Sequence, residues 1–121
     1  MSLANKTILV VDDEKTVAKA VQMIMESEHC KVLVAYSAEE ALRVYSDSAK
    51  KIAAVIMDIT MPLVSGETLA ASLRNLNPKL PIVYMTGYDA QELKTNPPAE
   101  VVQKPFVITD LLDAVKRAVL K

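Results

Sequence analysis

Two short apolar runs of the sequence end in carboxylates. Residues 8–11 (Ile-Leu-Val-Val) lead into Asp12 and Asp13, and residues 54–57 (Ala-Val-Ile-Met) lead into Asp58. A short apolar run is typical of a buried strand, which would bring the acids to its open end. Three carboxylates held together would repel one another, and a divalent cation would remove that conflict. Because all the ligands are oxygens, we expect a hard ion, Mg²⁺ first and Mn²⁺ as a substitute.

Two further apolar runs end at a hydroxyl and at an ammonium. One stops at Thr86 and Gly87, and the other stops at Lys104. If all four strands are parallel neighbours, these groups meet the acids at one edge of a sheet. A carboxylate there could attack phosphorus and form an aspartyl phosphate. Lys104 could pair with one phosphoryl oxygen, the Thr86 hydroxyl could donate to another, and Gly87 would leave space for the group.

Each fragment also has a simpler interpretation. Asp12 and Asp13 could be a polar loop at the start of a helix, Thr86 the end of a strand, Gly87 a turn, and Lys104 a solvated surface ammonium. The convergence of all these groups on one edge is what favours the phosphoryl interpretation.

The elements that position these groups alternate along the chain. Apolar runs predict strands over residues 7–11, 31–35, 54–57, 82–85 and 101–103. Helical spacing predicts helices over residues 14–28, 37–45, about 69–76 and 89–94, and a last helix capped by Thr109 with Ile108 stapled to Leu112. Short links between strand and helix predict an α/β fold: one doubly wound, five-stranded parallel sheet with helices on both faces. In such sheets the ligand site lies beyond the carboxyl ends of the strands.

Apolar periodicity also predicts which side of each helix is buried. We expect the buried residues of the first helix to be Val17, Ala20, Val21, Ile24 and Met25. The third helix should bury Leu69, Ala70, Leu73 and Leu76, and the last Leu112, Val115 and Val119.

Length and composition suit one domain, which we place at residues 6–121. Residues 1–5 form an N-terminal extension that could be a remnant of cloning. The net charge of −1 shows no excess of positive charge, so we expect no direct binding of nucleic acid. No apolar run is long enough for membrane insertion. One cysteine, Cys30, excludes an internal disulfide, and no signal peptide is visible, so we expect a cytoplasmic protein. The one histidine, His29, should lie at the opposite edge of the sheet.

Taken in order, these fragments resemble the receiver domain of two-component response regulators, over about residues 6–120. The resemblance rests on Val-Val-Asp-Asp-Glu at 10–14, Ile-Met-Asp-Ile-Thr-Met-Pro at 56–62 with Gly66, Met-Thr-Gly at 85–87 and Lys-Pro-Phe at 104–106. It implies a flavodoxin-like strand order 2-1-3-4-5.

The resemblance also implies roles for single residues. Asp58 would be the phosphoacceptor. Asp12 and Asp13 would hold Mg²⁺, with Asp58 and the backbone carbonyl of Thr60 as further ligands. Thr86 would be the switch hydroxyl and Lys104 its charged partner. The resemblance further implies a cis bond between Lys104 and Pro105. Thr60 and Tyr88 would flank the phosphoryl group and tune its hydrolysis.

The implied function is phosphoacceptance in a phosphorelay. The donor would be a phosphohistidine on a histidine kinase or phosphotransfer domain, or a small acyl phosphate. The domain would assist its own phosphorylation and dephosphorylation without being a turnover enzyme, and phosphorylation would shift a conformational equilibrium.

Two departures from the family pattern stand out. Val101 occupies a position that is often aromatic, which puts a coupled threonine–aromatic switch in doubt. The fourth predicted helix has only about six residues, 89–94, before Pro97 and Pro98. The short helix and the sequence Thr-Gly-Tyr suggest the receiver of a hybrid histidine kinase, so a fused kinase or output domain is expected.

Two alternatives remain open at this point. A receiver-like binding scaffold would keep the fold without phosphorylation, but it would need none of the acids, Thr86 or Lys104. An aspartyl-phosphate hydrolase would usually carry a second Asp two residues after the nucleophile, where this chain has Thr60.

Overall fold

The computed structural model of the protein describes residues 2–61, 64–87 and 99–120. Strands and helices alternate through most of this part of the chain. The elements are β1 (Thr7–Val11), α1 (Lys15–Ser27), β2 (Lys31–Ala35), α2 (Ala38–Ser48), β3 (Ile52–Asp58), α3 (Gly66–Leu76), β4 (Ile82–Thr86), β5 (Ala99–Gln103) and α4 (Ile108–Leu120). The predicted short helix over residues 89–94 lies outside the described residues.

The five strands form one parallel sheet in the order β2-β1-β3-β4-β5. This confirms the predicted fold class and strand order. The register sets the levels at which the strands end. Val11 pairs with Met57, so Asp12 and Asp58 follow at the same level on neighbouring strands. Thr86 pairs with Gln103, which places Lys104 one residue beyond the paired part of β5.

Two apolar layers cover the sheet, one on each face. Leu9 and Val11 of β1 face the layer that includes α2 and α3, whereas Ile8 and Val10 face the layer that includes α1 and α4. All four side chains are fully buried. A central parallel strand covered on both faces needs apolar residues at successive positions, which explains its unbroken Ile-Leu-Val-Val sequence.

The buried side of α1 differs in part from the prediction. Val21 and Met25 are buried as expected, but the third member of the buried stripe is Ala18. Ala20 is exposed, because it lies on the far side of a helix whose inner face runs through residues 18, 21 and 25. In α3, Leu76 is also exposed, since it lies in the last turn, beyond the buried residues Leu69, Ala70 and Leu73.

The last helix begins earlier than predicted. Helix α4 starts at Ile108, and the carbonyl of Val107 accepts hydrogen bonds from the amides of Asp110 and Leu111. Thr109 is therefore inside the first turn and is not the cap. The predicted staple is also wrong, because Ile108 is 57% exposed. The buried stripe accordingly comprises Leu111, Ala114, Val115 and Ala118, with Leu112 and Val119 half-buried.

Serine side chains cap two helices. The Ser37 hydroxyl accepts a hydrogen bond from the Glu40 amide at 3.1 Å, as the capping-box spacing predicted. The Glu40 carboxylate accepts from the amide of Tyr36 rather than from that of Ser37. Helix α2 then continues to Ser48, beyond the predicted end at Tyr45. Ser65 caps α3 by accepting from Thr68.

Residues before β1 pack onto the fold. Leu3, which lies in the predicted extension, is 2% exposed and belongs to the core layer of α1 and α4. Its carbonyl accepts from the amide of Lys6 and from the thiol of Cys30. Burial raises the pKa of the Cys30 thiol, so this group stays protonated at neutral pH. Among the helices described, no segment has the length and apolarity that crossing a membrane requires.

Candidate functional site

Three carboxylates meet at the carboxyl edge of the sheet. Asp12, Asp13 and Asp58 each offer a carboxylate oxygen within 4.8 Å of the other two. Asp12 and Asp58 are buried, whereas Asp13 is exposed. The structure thus brings together the three acids that the sequence singled out, at the edge where parallel sheets bind ligands.

The Asp12 carboxylate is fixed on both sides. Its Oδ1 accepts a hydrogen bond from the Glu14 amide at 2.9 Å, which forms an Asx turn between β1 and α1. Its Oδ2 accepts from the ammonium of Lys104 at 3.4 Å. The carboxylate is completely buried, so these contacts replace much of the hydration that it loses.

Asp58 ends β3 in a similar arrangement. Its Oδ1 accepts a hydrogen bond from the Thr60 amide at 3.2 Å, again two residues along the chain. Its Oδ2 lies 3.6 Å from the Lys104 ammonium. The backbone therefore orients one oxygen of this carboxylate, and the other faces a positive charge.

Lys104, the residue after β5, contacts these two acids with its side chain. Its backbone amide donates to the Thr86 carbonyl at 2.7 Å, which anchors the start of the loop beside the end of β4. The bond between Lys104 and Pro105 is cis, the geometry that the family resemblance implied. The Lys104 side chain is 23% exposed, so its ammonium faces both the acids and solvent.

Burial governs the electrostatics of Asp12. Desolvation raises the pKa of the Asp12 carboxyl above its ordinary value, and the neighbouring charge of Asp58 adds to this effect. The Glu14 amide and the Lys104 ammonium lower the pKa of Asp12, but they do not fully offset burial. One ammonium thus balances only part of the charge of three acids, and the site remains attractive to a cation.

The other predicted site residues surround this cluster. Thr86 is buried at the end of β4, and Gly87 is exposed directly after it. A Cβ atom added to Gly87 would meet no atom within 4 Å among the residues that the structure describes, so there is open space beside Thr86. Thr60 is exposed and contributes its amide to Asp58. Tyr88 lies outside the described residues.

Gly66 supports the site in a way that the sequence interpretation did not anticipate. Its amide donates to the Ile59 carbonyl at 2.8 Å, which brings the start of α3 against the end of β3. A Cβ atom at Gly66 would overlap the Asp58 carbonyl oxygen and would lie 2.8 Å from Cα of Ile59. A signal existed, because Gly66 is one of only two glycines in the chain and follows the Asp58 strand closely.

Val101 has an aromatic neighbour on the adjacent strand. Val101 pairs with Tyr84 of β4, and both contact the core layer of α2 and α3. Tyr84 is buried, and burial raises the pKa of its hydroxyl. An aromatic ring thus lies on β4, two residues before Thr86, rather than on β5.

The donor set suits a hard divalent cation. Its ligands are carboxylate oxygens, which Mg²⁺ and Mn²⁺ prefer, and no cysteine or histidine lies in the cluster. The raised pKa of Asp12 reflects the burial of its charge and the repulsion from Asp58, and a bound cation would offset both effects. These residues therefore fit a metal ion that would be held by Asp12, Asp13 and Asp58.

Comparison with known proteins points to one family. A sequence profile for the response regulator receiver domain matches residues 8–116. The sensor kinase CckA of Brucella abortus is 29% identical over 119 residues, which cover 95% of this chain and 13% of CckA. The regulatory protein VanR of Enterococcus faecium is 34% identical over 113 residues, which cover 90% of this chain and 48% of VanR. The chain therefore spans half or less of these two relatives.

Solved structures agree with the sequence matches. A response regulator receiver domain from Clostridium thermocellum superposes with a TM-score of 0.88 at 29% identity, covering 95% of this chain and 94% of that one. The receiver domain of the hybrid histidine kinase CckA gives a TM-score of 0.81 at 28% identity, covering 93% of this chain and 98% of that one. With this fold, the acidic cluster and the profile match over most of its length, the chain belongs to the response regulator receiver domain family of two-component systems.

Proposed function

We propose that this domain accepts a phosphoryl group on Asp58. The donor would be a phosphohistidine of a histidine kinase or phosphotransfer domain, or a small acyl phosphate. The observation that carries the proposal is the position of the Asp58 carboxylate, 3.6 Å from the Lys104 ammonium and within 4.8 Å of two further acids. A nucleophile, a cationic partner and a set of metal ligands are the parts that phosphoryl transfer to a carboxylate requires.

In the proposed step, a carboxylate oxygen of Asp58 attacks phosphorus. The new O–P bond replaces the P–N bond of phosphohistidine, and the imidazole departs with the bonding electron pair. The Lys104 ammonium lies 3.6 Å from Asp58, which would carry the phosphoryl group. It can therefore shift from the carboxylates onto a phosphoryl oxygen. Asp12 and Asp13 would hold Mg²⁺ together with Asp58 and the Thr60 carbonyl. When bound, the ion supplies charge neutralisation and orientation of the transferring group.

Thr86 and Gly87 complete the proposed phosphoryl site. Gly87 leaves room beside the end of β4, and the Thr86 hydroxyl can donate to a phosphoryl oxygen. Movement of Thr86 onto the phosphoryl group would bias a two-state equilibrium. Because Val101 is not aromatic, we infer that coupling passes through packing between β4 and β5, where Tyr84 adjoins Val101.

Hydrolysis would return the domain to its resting state. The family resemblance implies that Thr60 and Tyr88 would flank the phosphoryl group, and we propose that they tune the access of water. The domain would act as a switch or relay that assists its own phosphorylation and dephosphorylation, rather than as a turnover enzyme. We expect it to work in the cytoplasm, within a protein that includes a kinase or an output domain, as the greater length of its relatives suggests.

A binding scaffold would have no use for this arrangement. Asp12 is fully buried, its pKa is raised, and Asp58 adds repulsion, so keeping these acids at the sheet edge destabilises the folded state. A hydrolase of the related kind would need an acid where the exposed Thr60 lies. Both alternatives therefore fit the described residues less well than a phosphoacceptor does.

Binding of Mg²⁺ and beryllofluoride, a phosphoryl mimic, tests the proposal. Backbone amide NMR should show saturable Mg²⁺-dependent shifts at residues 12, 13, 58 and 60. Beryllofluoride should then add shifts at residues 86, 87 and 104. Asp58→Asn should abolish the second set, whereas Asp113→Asn, an exposed acid of α4, should leave both sets intact. A well-folded wild-type domain that binds neither probe would support the scaffold.

A further inference from the structure

A second cleft lies at the amino-terminal edge of the sheet, opposite the acidic site. Its volume is about 480 Å³, within the range of small-molecule sites. It is lined by Asn5, Thr7, Lys31, Leu33, Ser48 and Lys51. Five of the six are polar or charged without being acidic, and the two charged ones are lysines.

The sheet register explains how these residues come together. Thr7 of β1 pairs with Lys31 at the start of β2 and with Ile52 at the start of β3. Leu33 follows Lys31 by two residues, so the two side chains lie on the same face of the sheet. Lys51 immediately precedes Ile52, and its amide donates to the Ser48 carbonyl at 2.9 Å in the turn after α2. Lysines from β2 and from this turn therefore flank β1.

Within the described part of the chain, neither lysine of the cleft lies within 4.0 Å of a carboxylate. Over residues 2–61, 64–87 and 99–120, the basic residues within 4.0 Å of a carboxylate are Lys104, Lys116 and Arg117. Asp47 lies nearby, since it lines a neighbouring cavity with Lys50 and Lys51, but it forms no such ion pair. Three acids of the domain cluster at the opposite edge. The cleft therefore carries an unbalanced positive charge in a concave, partly polar setting.

We propose that this cleft binds the phosphate group of a small phosphate ester. Two ammonium groups match a dianion, and the hydroxyls of Thr7 and Ser48 and the amide of Asn5 supply neutral donors for its other oxygens. A carboxylate has one charge and two oxygens, so it would use fewer of these donors. Leu33 offers an apolar surface for the organic part of the ligand. This site is separate from Asp58 and does not depend on phosphorylation.

The end of helix α2 gives one lysine of the cleft another explanation. A helix C-terminus carries partial negative charge, and Lys51 lies three residues after the last residue of α2, whereas Lys31 lies on β2. That role would account for the stability of α2 but not for binding of a free anion. A binding measurement therefore separates the two explanations.

The test is an NMR titration of the wild-type domain without Mg²⁺, in which the three acids of the other edge repel anions. The probes are inorganic phosphate, adenosine 5′-monophosphate and acetate, at constant ionic strength. Saturable shifts centred on residues 5, 7, 31, 33, 48 and 51 are expected with both phosphates. Lys31→Gln and Lys51→Gln should each weaken phosphate binding by about tenfold, because each removes hydrogen bonds to a charged group. Lys79→Gln removes the same charge from an exposed loop outside the cleft and should change nothing.

Three results would overturn the proposal. Shifts spread over many surface lysines would indicate unspecific charge screening. Phosphate binding that survives Lys31→Gln and Lys51→Gln would place the anion elsewhere. Acetate binding as tightly as phosphate would contradict the choice of a dianionic ligand. Circular dichroism of each variant confirms that a loss of binding is not a loss of fold.

Discussion

Asp12 and Asp58 present their carboxylates to the same ammonium in the same way. Oδ1 of each accepts the amide two residues later, and Oδ2 of each faces Lys104, at 3.4 Å and 3.6 Å. Two strands that are neighbours in the sheet thus end in matching Asx turns. The match fixes both carboxylates through the backbone, so Lys104 can leave them without the acids losing their orientation.

Replacing Lys104 by Gln should move two affinities in opposite directions. Mg²⁺ should bind roughly three- to tenfold more tightly, because the ammonium that repels it is gone. Beryllofluoride should bind at least about tenfold more weakly, because one phosphoryl oxygen loses its charged partner. Calorimetric titration measures both, and Lys79→Gln serves as the control. A variant in which both affinities fall together would show that Lys104 acts mainly on the fold.

The acid Asp12 should make the metal-free domain less stable as pH rises. The pKa of Asp12 is raised in the folded state, so between the ordinary and the raised pKa the folded state binds more protons than the unfolded state. The contribution of Asp12 to the free energy of unfolding is therefore greatest below the ordinary pKa of an aspartate, and it falls as pH rises through the raised pKa. Asp12→Asn should remove this dependence and increase the free energy of unfolding at neutral pH.

Urea denaturation in EDTA, from about pH 4 to about pH 8, measures this effect. Asp113→Asn, an exposed acid of α4, is the matched control and should follow the wild type. An Asp12→Asn domain that is less stable than wild type at neutral pH would mean that the contact with Lys104 outweighs the cost of burial.

The two glycines of the chain should respond very differently to alanine. Gly66→Ala places a Cβ atom against the Asp58 carbonyl and should cost about 1–3 kcal/mol of stability, the usual size of overpacking. It should also weaken Mg²⁺ binding, because the end of β3 must shift. Gly87→Ala meets open space, so its stability should stay within about 0.5 kcal/mol of wild type. Equal losses in both variants, by thermal or urea unfolding, would refute the steric argument.

Leu3 should contribute to the core although it precedes the first strand. Leu3→Ala removes a buried side chain and should lower the free energy of unfolding by about 2–4 kcal/mol. Met23→Ala, which truncates an apolar side chain that is 60% exposed, should cost far less. If Leu3→Ala were as mild as Met23→Ala, residues 1–5 would be a dispensable extension.

The carboxyl edge was readable from the sequence because parallel strands leave a simple pattern. Apolar runs such as residues 8–11 and 54–57 are buried on both faces, so the residue at which each run stops marks the edge of the sheet. That pattern places Asp12, Asp58 and Thr86 together before any coordinates are known.

Finer features depend on tertiary packing that periodicity does not encode. Ala18 is buried rather than Ala20 because the sheet selects one side of α1, and both residues are small and apolar. Val107 rather than Thr109 precedes the first turn of α4, because its carbonyl accepts from the amides of Asp110 and Leu111, a contact that the side chains of the sequence do not reveal. The overlap of Gly66 with the Asp58 carbonyl is likewise a contact between elements, and local sequence gives only the glycine itself.

The central claim is that Asp58 accepts phosphate, and intact mass after incubation with acetyl phosphate or phosphoramidate tests it most directly. The wild type and Asp113→Asn should each gain one phosphoryl group, in the presence of Mg²⁺ and not in EDTA. Asp58→Asn should gain none while keeping its circular dichroism spectrum. An adduct that persists in Asp58→Asn would contradict the assignment. So would a folded wild type that takes up no phosphoryl group from either donor and binds no beryllofluoride.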